Sequence, residues 1–395
     1  MESKEPKILI SGYTFANESY MKTFSYYPNA GKVHFLVPKL WPIKEGRYIF
    51  KPTPNKNVHT AKAFFYHSNY PLIGGILKGW MPVFPLILIR QWPDIVFSIS
   101  ELNLLTTLYE GIFAKLFRVK HIIFTWENVD YETKFKGLRG AIQKFIIRLN
   151  LLLCDGVVCG SHRAKKVMSL LTHKPTVVIP AMGLDTDFFK RDYSKKSFKG
   201  TDLKDYIVFG FAGMIGYRKG AHLIIKAFKE ISETMPNARL ILAGFGEGEY
   251  GEMIDSMIVE LGLKNLVIRI PWLDREGVRE LCNSSDIYLY PSIPYGGWED
   301  QLPYSIQEAS AMELPVISTT SGSITEIVLD GKTGILIKSY DDHKELKEAM
   351  AVLAKDKEKR ISMGMAGREF VCKNYSQPVV AKKFYEFFNS FVNKY

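Results

Sequence analysis

Two carboxylates, Asp300 and Glu308, stand eight residues apart around the predicted start of a helix. Pro303 suits the first turn of that helix, because proline lacks the amide hydrogen that a first turn leaves unpaired. The remaining free amides and the helix dipole attract anions, and ionised carboxylates accept hydrogen bonds from hydroxyl groups. The stretch therefore predicts one of two things. It is either a site for a phosphate flanked by hydroxyls, as in a nucleotide sugar, or a surface helix with solvated acids.

A second candidate anion site lies around Lys219, in the segment GFAGMIGYRKGAHLIIKAF (residues 210–228). Its pattern predicts a strand, a glycine-rich turn and a helix that begins near Gly220. A lysine at a helix N-terminus is suited to hold a diphosphate; the alternative is an exposed lysine in a loop. A further glycine-rich turn follows a strand at residues 244–248, but a GxGxG pattern alone is a weak signal.

The elements that must position these residues are short apolar strands that alternate with helical patterns. The predicted strands are KILISGY, KVHFLVP, DIVFSIS, HIIFTWE, DGVVCGS and PTVVIPA in the first half, and YIVFGFAG, ARLILAGFG, LVIRIPW, DIYLYPS, LPVISTT and GILIK in the second. Near-continuous apolar strands separated by helices predict parallel sheets that are covered on both faces.

A chain of 395 residues exceeds one ordinary core, so we predict two doubly wound, Rossmann-like α/β domains that face each other across a cleft. The expected N-terminal domain covers residues 1–190, followed by a polar linker at 191–205. The C-terminal domain is expected at residues 206–375. A last helix at 376–395 has apolar residues at helical spacing and is expected to pack back on the first domain.

Together these segments resemble the retaining glycosyltransferases of family 4, which have the GT-B fold. The resemblance is specific in the second half and looser in the first. The matching segments are ISGYTF, VVCGSHRAKKVM, VIPAMGLDTDFF, FAGMIGYRKG, LILAGFGEGE, IPWLDREGVRELCNSSDIYLYPS, DQLPYSIQEASAMELPVIS and SGSITEIVLDGKTGILI.

The resemblance implies transfer of a sugar from a UDP- or GDP-linked donor, bound by the second domain, to an acceptor hydroxyl bound by the first, with retention of configuration. Glu308 would bind the ribose hydroxyls, Asp300 those of the donor sugar, and Lys219 would neutralise the departing diphosphate. The implied catalytic residues are Asp300, Glu308, Lys219 and Glu127. The implied donor-binding residues are Gly12, Gly213, Met214, Arg218, Gly244, Glu299, Leu302, Pro303 and Tyr304.

The chain departs from the family pattern at three of these positions. Asp300 stands where glutamate is usual, and the neighbouring Glu299 is the alternative. Met214 replaces an arginine, so Arg218 is a candidate for the missing charge. Glu127 or Trp126 stands at the end of a first-domain strand where many members have histidine, which leaves open a catalytically weak variant.

No cofactor and no metal are expected. The pair Asp185 and Asp187 has the spacing of a DxD metal motif, but it falls inside the segment that resembles the hinge. The four cysteines have no metal-ligand spacing. The N-terminus lacks the apolar core of a signal peptide, so a cytoplasmic protein is expected.

The charge is unevenly spread. Residues 1–200 carry 29 lysines and arginines against 14 acidic residues, whereas residues 201–395 carry 23 against 27. A basic half predicts an anionic partner such as a phosphate or a membrane surface. The segments 134–153 and 71–90 combine basic and large apolar residues, which predicts either a membrane contact or, equally for 134–153, a helix that packs on the core.

From these features we expect a lipid-linked or membrane-associated glycan acceptor and a peripheral position on the cytoplasmic membrane face. No nucleic-acid partner is expected. The alternatives are a glycosyltransferase with a soluble sugar acceptor and a nucleotide-sugar 2-epimerase, which shares the GT-B fold.

Overall fold

The computed structural model describes residues 5–43, 48–66 and 75–392. The chain divides into two compact units, one formed by Met1–Gly183 with Gln377–Tyr395 and one formed by Leu184–Ser376. Among the described residues, no helix has the length and apolar character needed to cross a membrane.

The strands and helices alternate along the chain. The strands are β1 (Ile8–Ser11), β2 (Val33–Pro38), β3 (Trp41–Ile43), β4 (Tyr48–Phe50), β5 (Val58–Ala61), β6 (Ile95–Ser98), β7 (Lys120–Thr125), β8 (Gly156–Cys159), β9 (Thr176–Val178), β10 (Ser197–Phe198), β11 (Thr201–Asp202), β12 (Ile207–Ala212), β13 (Ala238–Ala243), β14 (Val267–Ile270), β15 (Ile287–Tyr290), β16 (Val316–Thr319) and β17 (Gly334–Ile337). The α-helices are α1 (Glu18–Met21), α2 (Phe84–Gln91), α3 (Leu105–Leu116), α4 (Tyr131–Lys134), α5 (Gly137–Leu153), α6 (His162–Ser169), α7 (Ala221–Thr234), α8 (Gly248–Glu260), α9 (Arg275–Ser284), α10 (Tyr304–Ala311), α11 (Lys344–Lys355), α12 (Lys357–Tyr375) and α13 (Gln377–Val392).

The first unit is built on a parallel sheet in the order β5-β2-β1-β6-β7-β8-β9. Strand β1 is central, with Ile8 paired to Val33 on one side and to Ile95 on the other. All four residues of β1, of β6 and of β8 are buried, which is expected of parallel strands covered by helices on both faces.

The second unit repeats the plan with a parallel sheet in the order β14-β13-β12-β15-β16-β17. Strands β12 and β15 are neighbours, and the chain runs outward from them in both directions. The point where the strand order reverses is therefore the β12–β15 junction, and ligands of such sheets bind outside the carboxyl ends of the strands there.

The twelve predicted strands are all present, and each predicted sheet is parallel. The edge strand β5 was not predicted. Its residues His59 and Thr60 are polar and partly exposed, because an edge strand has only one neighbour to pack beside. Its sequence therefore lacks the continuous apolar run of the central strands.

Residues 191–205, predicted as a linker, belong instead to the second unit. Strands β10 and β11 form an antiparallel pair there, and the Phe198 side chain is buried. The Arg191 guanidinium donates to the Ser285 carbonyl at 2.8 Å, and the Asn283 amide donates to the Lys195 carbonyl at 2.8 Å. The polar composition suggested a linker because these contacts are made by backbone and polar groups rather than by an apolar stripe.

Helix α13 belongs to the first unit. The Phe384 ring lies 5.1 Å from that of Phe24 and 5.5 Å from that of Phe97, and Phe388 also contacts Phe97. Phe384 and Phe388 are fully buried. The chain thus completes its second unit and then returns to cover the first sheet.

Candidate active site

Lys219 and Asp300 meet at the carboxyl end of β12. The Lys219 ammonium lies 2.5 Å from Asp300 Oδ1 and also donates to the Tyr290 hydroxyl. Both side chains are nearly buried, with exposed fractions of 7% for Lys219 and 9% for Asp300. The two residues are 81 positions apart in the sequence, so the fold brings together two candidates that were predicted separately.

A glycine places Lys219. The residue ends a short 3₁₀ helix, Tyr217–Lys219, and Gly220 follows with a φ of 67° before α7 begins. A Cβ atom at Gly220 would lie 2.1 Å from the Pro291 carbonyl oxygen. Only glycine permits both this left-handed conformation and this close approach of the β15 loop.

Burial lowers the pKa of Lys219 below its ordinary value, and the positive charge of Arg218 lowers it further, while the Asp300 carboxylate opposes both effects. The charge of Arg218 therefore acts on Lys219. Met214 is partly exposed and contributes no charge. The Lys219 ammonium also lies 4.7 Å from the centre of the Tyr290 ring, which favours its charged form.

The backbone of the loop before α10 is held by the turn at Gly322. The Ser323 amide donates to the Asp300 carbonyl at 2.8 Å, and the Gly322 amide donates to Glu299 Oε2 at 3.0 Å. Of the two adjacent acids, Glu299 therefore anchors the loop while Asp300 reaches Lys219. This arrangement favours Asp300 over Glu299 for contact with a ligand.

Glu308 lies in the second turn of α10 and is partly buried. Burial raises the pKa of its carboxyl group to about 7, and the charge of Arg275 partly offsets this effect. Arg275 is the first residue of α9 and forms an ion pair with Asp185 at 2.8 Å. Sequence reasoning missed Arg275; its position directly after the Asp274 helix cap was the only local signal.

Helix α10 begins at Tyr304, and the preceding Pro303 provides no side-chain capping hydrogen bond. Its first backbone bond runs from the Gln307 amide to the Pro303 carbonyl at 3.4 Å. Leu302 is buried and Tyr304 is partly exposed. The amides of the first turn thus precede the hydrogen-bonded part of the helix, which is the arrangement that attracts anions.

The two glycine-rich turns of the second unit contact each other. A Cβ atom at Gly244 would lie 1.6 Å from the Gly213 carbonyl oxygen, and Gly244 has a φ of 147°. The Gly213 amide donates to the Ala243 carbonyl at 3.0 Å. These glycines therefore allow the ends of β12 and β13 to approach closely beside Lys219.

Two predicted site residues, Gly12 and Glu127, lie in the first unit. A Cβ atom at Gly12 would lie 2.6 Å from the Ile99 side chain, so the ends of β1 and β6 are closely packed. Glu127 is buried after β7, forms an ion pair with Lys134 and accepts from the Val129 amide at 3.2 Å.

The structure adds Glu101 to the predicted residues of the first unit. Its carboxylate accepts from Thr125 Oγ1 at 3.0 Å and from the Trp126 amide at 3.2 Å. Burial and the nearby Glu127 charge raise the pKa of Glu101 to about 7. Because β6 and β7 are adjacent and parallel, their ends bring the two carboxylates together. The signal in the sequence was an acid directly after a buried strand.

The DxD pair does not form a cluster of metal ligands. Asp185 is engaged with Arg275 and also accepts from the Phe188 amide at 3.1 Å. Within the described parts of the chain, no group of three or more histidine, cysteine or acidic residues is arranged to hold a metal ion.

Comparison with known folds supports the GT-B prediction. HepE from Anabaena, solved in complex with UDP and glucose, matches 98% of this chain and 100% of its own with a TM-score of 0.72 at 17% identity. Sucrose-phosphate synthase from Thermosynechococcus elongatus matches 97% of this chain and 98% of its own with a TM-score of 0.74 at 15% identity. The predicted GT-B fold is confirmed.

Sequence relatives are glycosyltransferases too. A GDP-mannose-dependent α-(1-6)-phosphatidylinositol monomannoside mannosyltransferase of Mycolicibacterium smegmatis is 29% identical over 49% of this chain and 51% of its own length. The capsular polysaccharide biosynthesis glycosyltransferase CapM of Staphylococcus aureus is 26% identical over 69% of this chain and 71% of its own. The chain thus matches about half the length of the mannosyltransferase.

Residues 192–370 match the family model of the glycosyl transferases group 1. That range contains Lys219, Asp300 and Glu308 and nearly all of the second unit. The resemblance to glycosyltransferases is confirmed, and the chain carries a glycosyl transferases group 1 domain in residues 192–370.

Proposed function

We propose that this protein is a retaining glycosyltransferase that moves a sugar from a nucleotide-diphosphate sugar to an acceptor hydroxyl. The observation that carries the proposal is the buried Lys219–Asp300 pair at the carboxyl end of β12, inside the group 1 domain. The cation there can bind the negatively charged phosphates of a sugar diphosphate, and the carboxylate beside it can accept hydrogen bonds from the sugar hydroxyls.

In this proposal Lys219, Arg218 and the N-terminus of α10 take the charge of the diphosphate. That charge grows as the bond between the anomeric carbon and the phosphate oxygen breaks, so preorganised cations stabilise the transition state more than the ground state. Asp300 accepts from hydroxyls of the donor sugar, and Glu308 accepts from the ribose. The acceptor oxygen forms the new bond on the face that the diphosphate leaves, and its proton passes to the departing diphosphate.

The test uses radiolabelled UDP-glucose, UDP-N-acetylglucosamine and GDP-mannose with a lipid extract. Transfer of label to lipid or glycan supports the proposal. Isomerisation of the sugar would indicate an epimerase, and binding without turnover would indicate a protein that has lost catalysis; either result contradicts the proposal.

The donor-site assignment is tested by single substitutions. Lys219→Met and Glu308→Gln are each expected to lower the transfer rate by about 10²–10³-fold, because each removes a preorganised polar contact. Lys226→Met, at an exposed position of the neighbouring helix α7, is the matched control and should retain activity. Near-wild-type turnover of either site variant would remove that residue from the site.

We also propose that transfer needs no metal ion. The charge of Arg218 acts on Lys219, so two cations lie close together where the diphosphate would bind. They would neutralise its charge in place of a metal ion. Activity is therefore expected to persist in excess EDTA. Loss of activity on chelation, with recovery on addition of Mg²⁺ or Mn²⁺, would contradict this.

The proposed acceptor is lipid-linked, and helix α5 supports it. The helix buries Ile146, Ile147 and Leu151 against the sheet. A separate set of large apolar residues on the helix faces solvent: Leu138, Ile142, Phe145 and Leu152. Basic residues accompany them, since Arg139 and Arg148 are exposed. A helix that is apolar on its solvent side and bears cations is suited to a membrane surface.

The neighbouring helices also expose large apolar residues. Helix α3 packs against both α2 and α5, and it exposes Ile112 and Leu116, while α2 exposes Leu86 and Ile89. Isolated exposed apolar residues are ordinary, but such residues on three adjoining helices are typical of an interaction surface.

Two details of the sequence prediction are corrected here. Met81 and Phe84, predicted as membrane contacts within 71–90, are buried in the core of the first unit, and residues 71–74 lie outside the described residues. Lys134 is paired with Glu127 in a mostly buried position, so it is unavailable to lipid phosphates.

A pocket beside α5 and α6 also suits a lipid. It measures about 500 Å³, and its walls include Leu151, Leu152 and Leu170. Its polar residues include Arg148 and Lys144, and Lys144 is paired with Glu132 at 2.6 Å. One relative is named for a lipid acceptor, phosphatidylinositol monomannoside, whereas another is named for D-inositol 3-phosphate, which has no hydrocarbon chain. Apolar walls beside cations fit a hydrocarbon chain that ends in a phosphate.

The membrane proposal is tested by sedimentation with vesicles of phosphatidylglycerol and phosphatidylcholine. Binding is expected at low salt and should weaken as salt screens the basic residues over about 10 Å at 0.1 M. The variant with Leu138→Ser, Ile142→Ser and Phe145→Ser should lose most binding yet retain donor hydrolysis. Val259→Ser, Met253→Ser and Ile361→Ser alter exposed apolar residues of the second unit and serve as the control. Wild type that ignores the vesicles would favour a soluble acceptor.

A further inference from the structure

A group of exposed aromatic rings lies beside the Lys219–Asp300 pair. The exposed fractions are 41% for Tyr217, 59% for Tyr295 and 49% for Trp298. Tyr217 precedes Lys219 by two residues, and Trp298 precedes Asp300 by two. The ion pair therefore joins the two segments that carry the rings. Large aromatic side chains that are exposed together are typical of a ligand-binding or partner-binding site.

A tight hairpin holds two of these rings on one side. The amides of Tyr295 and Trp298 each donate to the other's carbonyl at 3.0 Å. Gly296 and Gly297 form the turn between them, with φ values of 60° and 75°, as a two-residue turn of this type requires. Residues that face each other across such a pair direct their side chains to the same side of the hairpin.

Tyr217 joins the same group and is held in place from behind. Its ring centre lies 4.9 Å from that of Tyr295, and its ring stacks on His222 at 5.1 Å with an interplanar angle of 11°. His222 is fixed in turn by a 2.7 Å hydrogen bond between its Nδ1 and the Tyr250 hydroxyl. Because its supports are fixed, Tyr217 loses little conformational entropy when a ligand stacks on it.

The surroundings of the rings supply hydrogen-bond acceptors. Glu247 lies against Gly216, since a Cβ atom there would be 2.0 Å from Glu247 Oε2. The Glu247 charge also acts on Lys219, which places it near the same end of β12. Aromatic rings supply a flat apolar surface, and carboxylates accept from hydroxyls.

We propose that Tyr217, Tyr295 and Trp298 form an aromatic platform for the acceptor glycan. The planes of the Tyr217 and Tyr295 rings are inclined by 57°, so a sugar ring stacks on one of them rather than on both. The proposal rests on the glycosyltransferase function proposed above and assigns a glycan-binding role to these three residues of the second unit. A sugar presents an apolar face to the rings and keeps most of its hydroxyls in water, which suits a surface whose rings stay about half exposed.

The local charge argues against an anionic membrane as the occupant. Glu299 follows Trp298 in the sequence, and Glu247 lies against Gly216, which precedes Tyr217. In addition, residues 201–395 carry 27 acidic residues against 23 basic ones. Arg218 and Lys219 follow Tyr217, so the acids and bases around the rings leave no cationic excess that would attract anionic lipid headgroups, in contrast to the basic face of α5.

The experiment uses the full chain labelled with 5-fluorotryptophan, with the Trp298 signal assigned from Trp298→Phe. The ¹⁹F spectrum is recorded with maltotriose, α-1,6-mannotriose and chitotriose, each without donor. We expect at least one trisaccharide to shift the Trp298 signal. Tyr295→Ala should weaken that binding about tenfold, the order of magnitude of a single aromatic contact, whereas Tyr295→Phe should retain it.

Two results would overturn the platform: no shift with any trisaccharide, or a shift only with phosphatidylglycerol vesicles. Tyr193→Ala, at another exposed tyrosine of the second unit, is the control and should leave binding unchanged. Donor hydrolysis by the same proteins separates the two proposals. If the wild type binds a trisaccharide but hydrolyses no donor, the proposed function is contradicted. If Tyr295→Ala hydrolyses donor normally and its glycan binding is not weakened, the platform is contradicted.

Discussion

At the scale of single residues, burial moves the pKa values of the proposed donor-site groups toward neutrality. It raises the pKa of Glu308 to about 7 and lowers that of Lys219. Each shift arises because a charged form is less well solvated inside the protein. The hydrogen-bonded Asp300 carboxylate opposes the lowering of the Lys219 pKa. For Glu308, the charge of Arg275 offsets part of the rise in pKa that burial causes. Glu308 is consequently the group whose charge changes within the ordinary working range of pH.

This leads to a pH prediction for donor binding. A hydroxyl donates to ionised Glu308, and the ionised fraction grows as pH rises through about 7. The affinity for a nucleotide sugar should therefore rise by about tenfold from pH 6 to pH 8, as one proton is lost per site. Calorimetric titration with a nucleotide sugar measures this, because its diphosphate does not titrate in that range.

Glu308→Gln is the control for that titration, because glutamine cannot ionise. Its affinity should be lower than that of the wild type at pH 8 and should not vary with pH. An equally steep pH dependence in this variant would assign the titration to another group and would contradict the role of Glu308.

At the scale of elements, the site depends on glycine turns more than on long helices. Gly220 lets the β15 loop approach the start of α7, and Gly244 lets the β13 turn approach the β12 turn. Gly322 does the same for the loop before α10: its φ is 57°, and a Cβ atom there would lie 1.9 Å from the Asp300 carbonyl oxygen. Each turn brings two strand ends together at the place where the proposed donor would bind.

Gly322→Ala is therefore expected to lower transfer activity by at least tenfold. The added methyl group collides with the Asp300 backbone and displaces the carboxylate from Lys219. Gly331→Ala is the matched control, because Gly331 also has a positive φ, of 70°, but a Cβ atom there meets nothing within 4 Å. It should cost about 1 kcal/mol of stability and little activity. Equal activity of the two variants would show that the turn does not position Asp300.

At the scale of the whole molecule, the chain builds two similar units but does not complete them in sequence order. Helix α13 follows the second unit in the chain and contributes Phe384 and Phe388 to the core of the first. The stability of the first unit therefore depends on residues from both ends of the chain, although α13 contains none of the predicted site residues.

Phe384→Ala is expected to destabilise the protein by about 3–5 kcal/mol, as is usual for removal of a buried ring. For a unit of this size, that corresponds to a fall of about 10 °C in the melting temperature, measured by calorimetry. Lys382→Ala, at an exposed position on the same helix, should leave the melting temperature unchanged. The affinity of folded Phe384→Ala for a nucleotide sugar should equal that of the wild type; a large loss of affinity would contradict the assignment of α13 to the core alone.

Local patterns in the sequence sufficed for the elements whose signal is local. Strands such as 207–212 and 287–290 can be predicted from their continuous apolar sequence, because both of their faces are buried in parallel sheets. Lys219, Asp300 and Glu308 stood out because glycine turns and a helix start mark their positions. The edge strand β5 and the 191–205 segment were missed, since their contacts use polar groups and leave no periodic signal.

Only the tertiary structure decided which of these residues meet. It paired Lys219 with Asp300 across 81 positions, assigned Glu299 to the loop anchor, and set Arg275 to act on Glu308. It also brought Tyr217 to the hairpin of Tyr295 and Trp298. Contacts of this kind arise when strands far apart in the chain become neighbours in a sheet. No local sequence pattern specifies which distant strands will pair. Sequence alone thus determined the kinds of groups present, and the packing of parallel strands determined which groups act together.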